Sequence, residues 1–204
     1  MTLILIPCKD LDFGKSRLSS EIDGRCRRRL CEQFLRQTLA AAIGCVGASQ
    51  VRIVSPDARV WAIARALEVK VIAETGSGLN AALAQARDSI LQAGLSERCT
   101  ILPIDLPYVS VPSLNRILAT PGEIVISPDS RREGTNLLGL APVAFGRFPF
   151  LFGPHSFARH TEAARALGFC PTIVSDPDLA FDVDEPRDYR DWLDRSAPLE
   201  ALIK

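Results

Sequence analysis

Short apolar runs of strand length alternate along the chain with segments whose apolar positions recur every three or four residues. Leu3-Ile4-Leu5-Ile6-Pro7 opens as one buried strand, far short of the roughly 20 apolar residues of a membrane helix. Gly24 to Val46 predicts a helix: Leu30, Phe34, Leu35, Thr38 and Leu39 share one face, arginines the other, and Gly47 is a fitting stop. Val51 to Val54 predicts a second strand, after which Asp57 caps a helix running through Leu67. Val69 to Ala73 predicts a third strand, Glu74 to Gly78 a loop, and Leu79 to Gly94 an alanine-rich helix. Cys99 to Ile104 reads as a fourth strand, Val111 to Ala119 as a short helix and Glu123 to Ser127 as a fifth strand. The regularity then breaks. Pro128 to Asn136 is polar, Leu137 to Ala141 suits a strand, and Phe145 to Phe157 holds five phenylalanines, two prolines and two glycines. A helix over Ala158 to Leu167, strands over Thr172 to Val174 and Leu179 to Val183, and a helix from Pro186 to Arg195 complete the pattern.

Strands alternating with helices imply right-handed crossovers and a mainly parallel sheet covered on both faces. Continuous apolar strands such as Ile124-Val125-Ile126 fit that burial. The fold class is therefore α/β: one Rossmann-like domain spanning residues 1–204, with an irregular insertion at about residues 128–160. A chain of 204 residues, 47% apolar and 24% charged, has the composition of one large globular domain. Its formal net charge of zero gives no global pull toward nucleic acid or an anionic membrane. The basic run Arg25-Cys26-Arg27-Arg28-Arg29 lacks stacking aromatics and reads as a solvated helix face, so neither nucleic acid nor membrane is expected as a partner. Six cysteines without a CxxC pair argue against zinc and against a disulfide framework. No charged region precedes Leu3 and no small-residue cleavage site follows, so the expected location is the cytoplasm.

Four constellations carry candidate chemistry. The first strand opens into Cys8-Lys9-Asp10-Leu11-Asp12-Phe13-Gly14-Lys15-Ser16-Arg17-Leu18. A basic, glycine-containing loop at a strand's carboxyl end is where α/β proteins hold anions. Gly14-Lys15-Ser16 matches the end of a P-loop, but the required earlier glycine is Lys9, with bulky Leu11 and Phe13 between. What remains is phosphate contact through the side chains of Lys9, Lys15 and Arg17. Asp105, between Ile104 and Leu106-Pro107, is a strand-end carboxylate that is costly to bury alone; magnesium shared with phosphates would be a partner. Ser110 suits the cap of the following helix better. In Phe181-Asp182-Val183-Asp184, strand geometry puts both aspartates on one face, where they repel unless a cation intervenes. Asp184 is also placed to cap the helix beginning near Pro186. Finally, Gly134-Thr135-Asn136 and Phe152-Gly153-Pro154-His155-Ser156-Phe157 offer hydroxyls, an amide and a helix N-terminus to a second anion. His155 and His160 are weaker general-base candidates, read as surface positions of the helix start.

Together the N-terminal strand with Lys15-Ser16-Arg17-Leu18, Gly78-Leu79-Asn80-Ala81-Ala82-Leu83, Ile104-Asp105-Leu106-Pro107, Gly134-Thr135-Asn136, Phe152 to Phe157 and Phe181-Asp182-Val183-Asp184 carry a resemblance. In that order they are similar to the 2-phospho-L-lactate guanylyltransferases (CofC type, including bacterial phosphoenolpyruvate guanylyltransferases), within the GT-A-like nucleotidyltransferases. The resemblance covers nearly the whole chain. It implies GMP transfer from GTP to the phosphate of 2-phospho-L-lactate, phosphoenolpyruvate or 3-phospho-D-glycerate, in coenzyme F(420) biosynthesis. It places the nucleotide against Pro7, Lys9, Lys15, Arg17, Gly78 and Asn80, magnesium on Asp105, Asp182 and Asp184, and the acceptor phosphate at Thr135, Asn136, Gly153 and Ser156. Lys15 and Asp105 become the catalytic pair, and a homodimer is compatible. Two departures stand out: Ser130-Arg131-Arg132-Glu133 where smaller residues are expected, and Asp12-Phe13 ahead of the lysine. The first leaves acceptor identity open. A nucleotidyltransferase with another base or acceptor, of molybdenum-cofactor or sugar-phosphate type, is disfavoured because the LxGGxSxRxGxxK opening is absent. A non-enzymatic nucleotide-binding domain is disfavoured by the intact Lys15, Asp105, Asp182 and Asp184.

Overall fold

The computed structural model describes residues 2–76, 78–95 and 97–201, with side chains through residue 196. In chain order the strands are β1 (Thr2–Pro7), β2 (Val51–Ser55), β3 (Lys70–Ala73), β4 (Arg98–Ile101), β5 (Ile124–Pro128), β6 (Thr135–Leu140) and β7 (Thr172–Ile173). The helices are α1 (Gly24–Val46), α2 (Ala58–Ala66), α3 (Leu79–Gln92), α4 (Val111–Leu118), α5 (Pro142–Phe145), α6 (Ser156–Ala166) and α7 (Pro186–Ala201). The strands form one sheet in the order β3-β2-β1-β4-β6-β5-β7, parallel except that β6 runs antiparallel to both its neighbours.

The pleat of β1 sorts its side chains between two cores. Ile4 and Ile6 join Leu35 and Leu39 of α1, Val60 and Ile63 of α2, and Leu114 and Ile117 of α4. Leu3 and Leu5 join Leu83 and Ile90 of α3, Phe145 of α5 and Ala164 of α6. A third, smaller cluster closes Leu18, Leu30, Phe34 and Val183 against Trp192 of α7, whose ring stands edge-on to Phe34 at 5.3 Å. It fastens the C-terminal helix to α1 and delivers the preceding aspartates to the carboxyl end of the sheet.

Local signals set most boundaries. Asp23 caps α1 by accepting from the Cys26 N–H at 2.7 Å, and Gly47 ends it at φ 79 with its N–H on the Ile43 carbonyl. Asp57 caps α2 as expected, and Ser110 caps α4 with a reciprocal capping box through Ser113. The break in alternation falls after residue 128, but its content is more regular than a looped insertion. β6 fills the place between β4 and β5, beginning at Thr135 rather than Leu137, and α6 begins at Ser156 rather than Ala158. Two expected strands are corrected. β4 stops at Ile101: Leu102 still donates to the Leu5 carbonyl, but Pro103 has no N–H to continue. Residues 179–183 form no strand. Their hydrogen bonds go singly to separate loops, Ser130 N–H to the Ala180 carbonyl (2.8 Å) and Val183 N–H to that of Asp105 (3.1 Å).

Candidate active site

The loop after β1 is pinned from α2. One oxygen of Asp57 caps the helix while the other accepts the Leu11 N–H at 3.0 Å. The Arg59 guanidinium then bridges Asp57, Asp12 and Asp10 at 2.7, 3.0 and 3.2 Å. Burial works against ionisation of Asp57, but the Arg59 side chain and the Leu11 and Arg59 N–H groups hold its carboxyl down to about 2. Gly14 serves packing here rather than phosphate wrapping, since a Cβ there would lie 2.6 Å from Cys31 Sγ. The next residue, Lys15, takes a left-handed backbone at φ 52, a conformation a non-glycine residue adopts at a cost of order 1–3 kcal/mol.

That turn aims Lys15 inward, its side chain only 8% exposed. Its Nζ donates to Asp184 Oδ1 at 2.7 Å and Asp105 Oδ2 at 3.3 Å. Burial would lower the lysine's pKa, but the two carboxylates overcome this and hold it above its usual value. Asp105 is pushed up, chiefly by burial, while Lys15 offsets burial at Asp184 and keeps that carboxylate low. Asp182 is pushed up to about 7, by burial first and then by Asp105 and Asp184. Three carboxylates thus face one ammonium. Asp184 does not cap α7: Asp188 accepts the Glu185 and Asp184 N–H groups at 2.8 and 3.3 Å, freeing Asp184 for Lys15.

The opposite wall comes from the start of β6 and of α6. Ser156 Oγ accepts the Thr135 N–H at 2.9 Å, and Asn136 Nδ2 donates to the Leu179 carbonyl at 2.9 Å and reaches Asp182 Oδ1 at 3.5 Å. Gly153 sits at φ 122, a backbone region suited to glycine. His160 overturns its reading as a surface base. It is fully buried, with Nε2 accepting the Leu151 N–H at 3.0 Å and Nδ1 2.9 Å from Thr135 Oγ1. Burial, then Arg159, pushes its pKa down to about 4, so it is neutral at physiological pH.

Pro7, Lys9, Lys15, Arg17, Asp105, Thr135, Asn136, Gly153, Ser156, Asp182 and Asp184 all line one cleft of about 610 Å³, as does His155. Gly78 and Asn80 do not; Leu79 and Ala82 of α3 line it instead. Gly78 ends the loop before α3 at φ 94, and Ser77 lies outside the described residues. Asn80 is a clasp. Its Oδ1 accepts the Phe152 N–H at 2.9 Å and its Nδ2 donates to the Phe152 carbonyl at 3.0 Å. Asn80→Ala leaves both Phe152 groups without that partner and should cost about 1–3 kcal/mol of stability, read as a lowered urea midpoint. An unchanged midpoint would show that water replaces the clasp.

The sequence makes His160 look like a surface position because its partners, Thr135 and Leu151, lie outside its own helix; its spacing four residues after Ser156 was the available signal. The arginine departures are also accounted for. Arg131 lines the cleft yet pairs with Asp188 at 2.8 Å, and Arg132 lies over the Phe157 ring at 5.0 Å. In the basic run, Arg28 pairs with Asp12 at 3.0 Å and Arg27 donates to the Ile22 carbonyl. All six cysteines are free thiols. Among the described residues no three His, Cys, Asp or Glu side chains form a ready-made metal cage, and no helix is long and apolar enough to cross a membrane.

A family model described as "Guanylyl transferase CofC like" matches residues 2–193. A phosphoenolpyruvate guanylyltransferase of Rubrobacter xylanophilus is 39% identical over 187 residues, covering 90% of this chain and 89% of its own. One of Chloroflexus aggregans is 33% identical over 201 residues, covering 96% of this chain and 98% of its own. In fold, the chain is similar to a solved 4-diphosphocytidyl-2C-methyl-D-erythritol synthase at TM-score 0.65 and 14% identity, covering 94% of this chain and 96% of that one. The mostly parallel sheet and its flanking helices share the fold of that synthase.

Proposed function

The chain belongs to the CofC-like guanylyl transferases, and from that premise we propose that it moves GMP from GTP onto the phosphate of phosphoenolpyruvate. Pyrophosphate is released, and the guanylylated acid serves coenzyme F(420) biosynthesis in the cytoplasm. The observation that carries this reading is the convergence of Lys15, Asp105, Asp182 and Asp184 with Thr135, Gly153 and Ser156 in one cleft. One wall is built for a polyphosphate and its cation, the other for a second anion. The names of the relatives favour phosphoenolpyruvate over 2-phospho-L-lactate and 3-phospho-D-glycerate.

The donor set suits magnesium. Asp105, Asp182 and Asp184 converge on Lys15, and burial first, then the two neighbouring carboxylates, pushes Asp182 up. Magnesium usually takes one or two carboxylates and completes its shell with water and substrate phosphates. Its ligands would be drawn from Asp105, Asp182 and Asp184. When bound, it would neutralise charge on the phosphates.

The residues of the chain position and neutralise. Lys15, with Lys9 and Arg17 at the mouth, meets the GTP phosphates. Thr135 and Ser156 hold the acceptor's phosphate in line with the α-phosphorus, which its oxygen attacks as pyrophosphate leaves. A phosphate monoester is already largely ionised at neutral pH, so no general base is needed, in keeping with the structural commitment of His160.

Incubating the protein with GTP, magnesium and each acid in turn, with mass detection, tests the reading. Phosphoenolpyruvate should yield the guanylylated product. The other two acids should fall about 10- to 100-fold in kcat/KM, the range that a small steric difference supplies. Product from none of the three, or only from a sugar phosphate, overturns the assignment.

A further inference from the structure

The acceptor wall contains a buried relay that the proposed reaction does not itself require. His160 has no exposure, yet both ring nitrogens are engaged. The Leu151 N–H can only donate, so Nε2 must accept, and the neutral ring then carries its proton on Nδ1. Nδ1–H therefore donates to Thr135 Oγ1 at 2.9 Å, which occupies a lone pair of the hydroxyl and leaves the hydroxyl proton for another acceptor. Thr135 lines the cleft, and beside it Ser156 Oγ already accepts the Thr135 N–H, so its proton is likewise available. The Phe152 and Phe148 rings lie against the imidazole at 4.8 and 5.9 Å and fix its plane.

We propose that His160 is a positioning residue: by donating to Thr135 it keeps that hydroxyl a donor aimed at the acceptor's phosphate. The proposal rests on the acceptor-pocket reading above. Through Nε2 the same ring also accepts the Leu151 N–H, which holds it in place.

Two amide replacements divide the two arms of the ring. Asparagine can present an N–H near the Nδ1 position, and glutamine can present an oxygen near Nε2. His160→Gln should keep the Leu151 bond and lose the donation to Thr135, raising KM for phosphoenolpyruvate about tenfold with KM for GTP within twofold. His160→Asn should stay within about threefold of the parent for both. Thr135→Val should raise the acceptor KM about tenfold, and adding His160→Gln to it should change little more. If Thr135→Val leaves the acceptor KM unchanged, the pocket assignment falls and takes this proposal with it. If Thr135→Val acts but the His160 variants raise both KM values alike, or add in full to Thr135→Val, the histidine is only a core residue and the proposal is overturned. A 15N spectrum of the parent protein gives a reading that needs no variant to fold: the neutral Nδ1–H tautomer is expected, and the Nε2–H tautomer overturns the relay.

Discussion

Replacing Lys15 with methionine is expected to lower kcat about a thousandfold while the protein keeps its secondary structure. The ammonium sits 2.7 Å from Asp184 and 3.3 Å from Asp105, on the wall where the proposed GTP phosphates and the metal carboxylates meet. A single preorganised donor to developing charge contributes about 10²- to 10³-fold. Lys15 has a second task, because two anionic substrates must be brought together in a cleft that already carries three aspartates. Its removal should therefore also raise KM for GTP. Stability should fall modestly, since Asp105 and Asp184 lose their partner but are 28% and 43% exposed and so remain partly solvated. The assay is pyrophosphate release at saturating GTP and acceptor, with circular dichroism as the folding control. Turnover within tenfold of the parent would show that Lys15 only ties the loop to the aspartates.

Asp182→Asn should abolish turnover and at the same time make the metal-free protein more stable. The variant removes a charge that burial and two neighbouring carboxylates disfavour, in a side chain of nearly the same shape. A carboxyl raised in the folded state binds its proton more tightly there than in the unfolded chain. The native state is therefore penalised progressively as pH rises from about 4 to about 7, and in full above that. At most this gap corresponds to about 4 kcal/mol; Asp182 is only partly buried, and solvent screening reduces the expected gain to about 1–3 kcal/mol. For a chain of this size that is an increase of about 2–12 °C in Tm. Melts in chelator should show the full gain at pH 8 and almost none at pH 4. Added magnesium should narrow it, because the cation supports the parent's carboxylate and not the amide. Near-normal turnover would sink the metal assignment, and equal Tm values at pH 8 would remove the repulsion argument.

Such a pairing of function with local instability is common where like charges are gathered for a ligand. It also explains why residues 179–184 are tied down so thoroughly. Asp176 accepts from the Arg116 guanidinium at 2.7 Å, Leu179 offers its carbonyl to Asn136, and Val183 is buried against Phe34 and Leu18. These contacts oppose the tendency of Asp182 and Asp184 to swing apart into solvent.

How much was legible depended on the range of the signal. The buried face of α1, the glycine stop at Gly47, the caps at Asp57 and Ser110 and the run of β1 are written in side chains within a few residues of one another. Hydrophobic period and capping chemistry act over that distance, so reading the chain locally sufficed. The residue types able to meet phosphate or metal were visible for the same reason. Elements failed where the deciding partner was remote. Residues 179–183 have the alternation of a strand but no single edge on which to pair, and β4 lost its last residues to Pro103 and the neighbouring loops.

By itself, then, the sequence determined the alternation of strands and helices, the core faces and the chemical types at the ends of the strands. The tertiary structure alone decided which of them meet. Lys15 finds Asp105 and Asp184 across 90 and 169 positions, Asn80 clasps Phe152 across 72, and His160 reaches Thr135 across 25. Those meetings depend on the order of strands in the sheet, above all on β6 running antiparallel between β4 and β5. Strand order is settled by the packing of the whole core, and a local period carries no record of it.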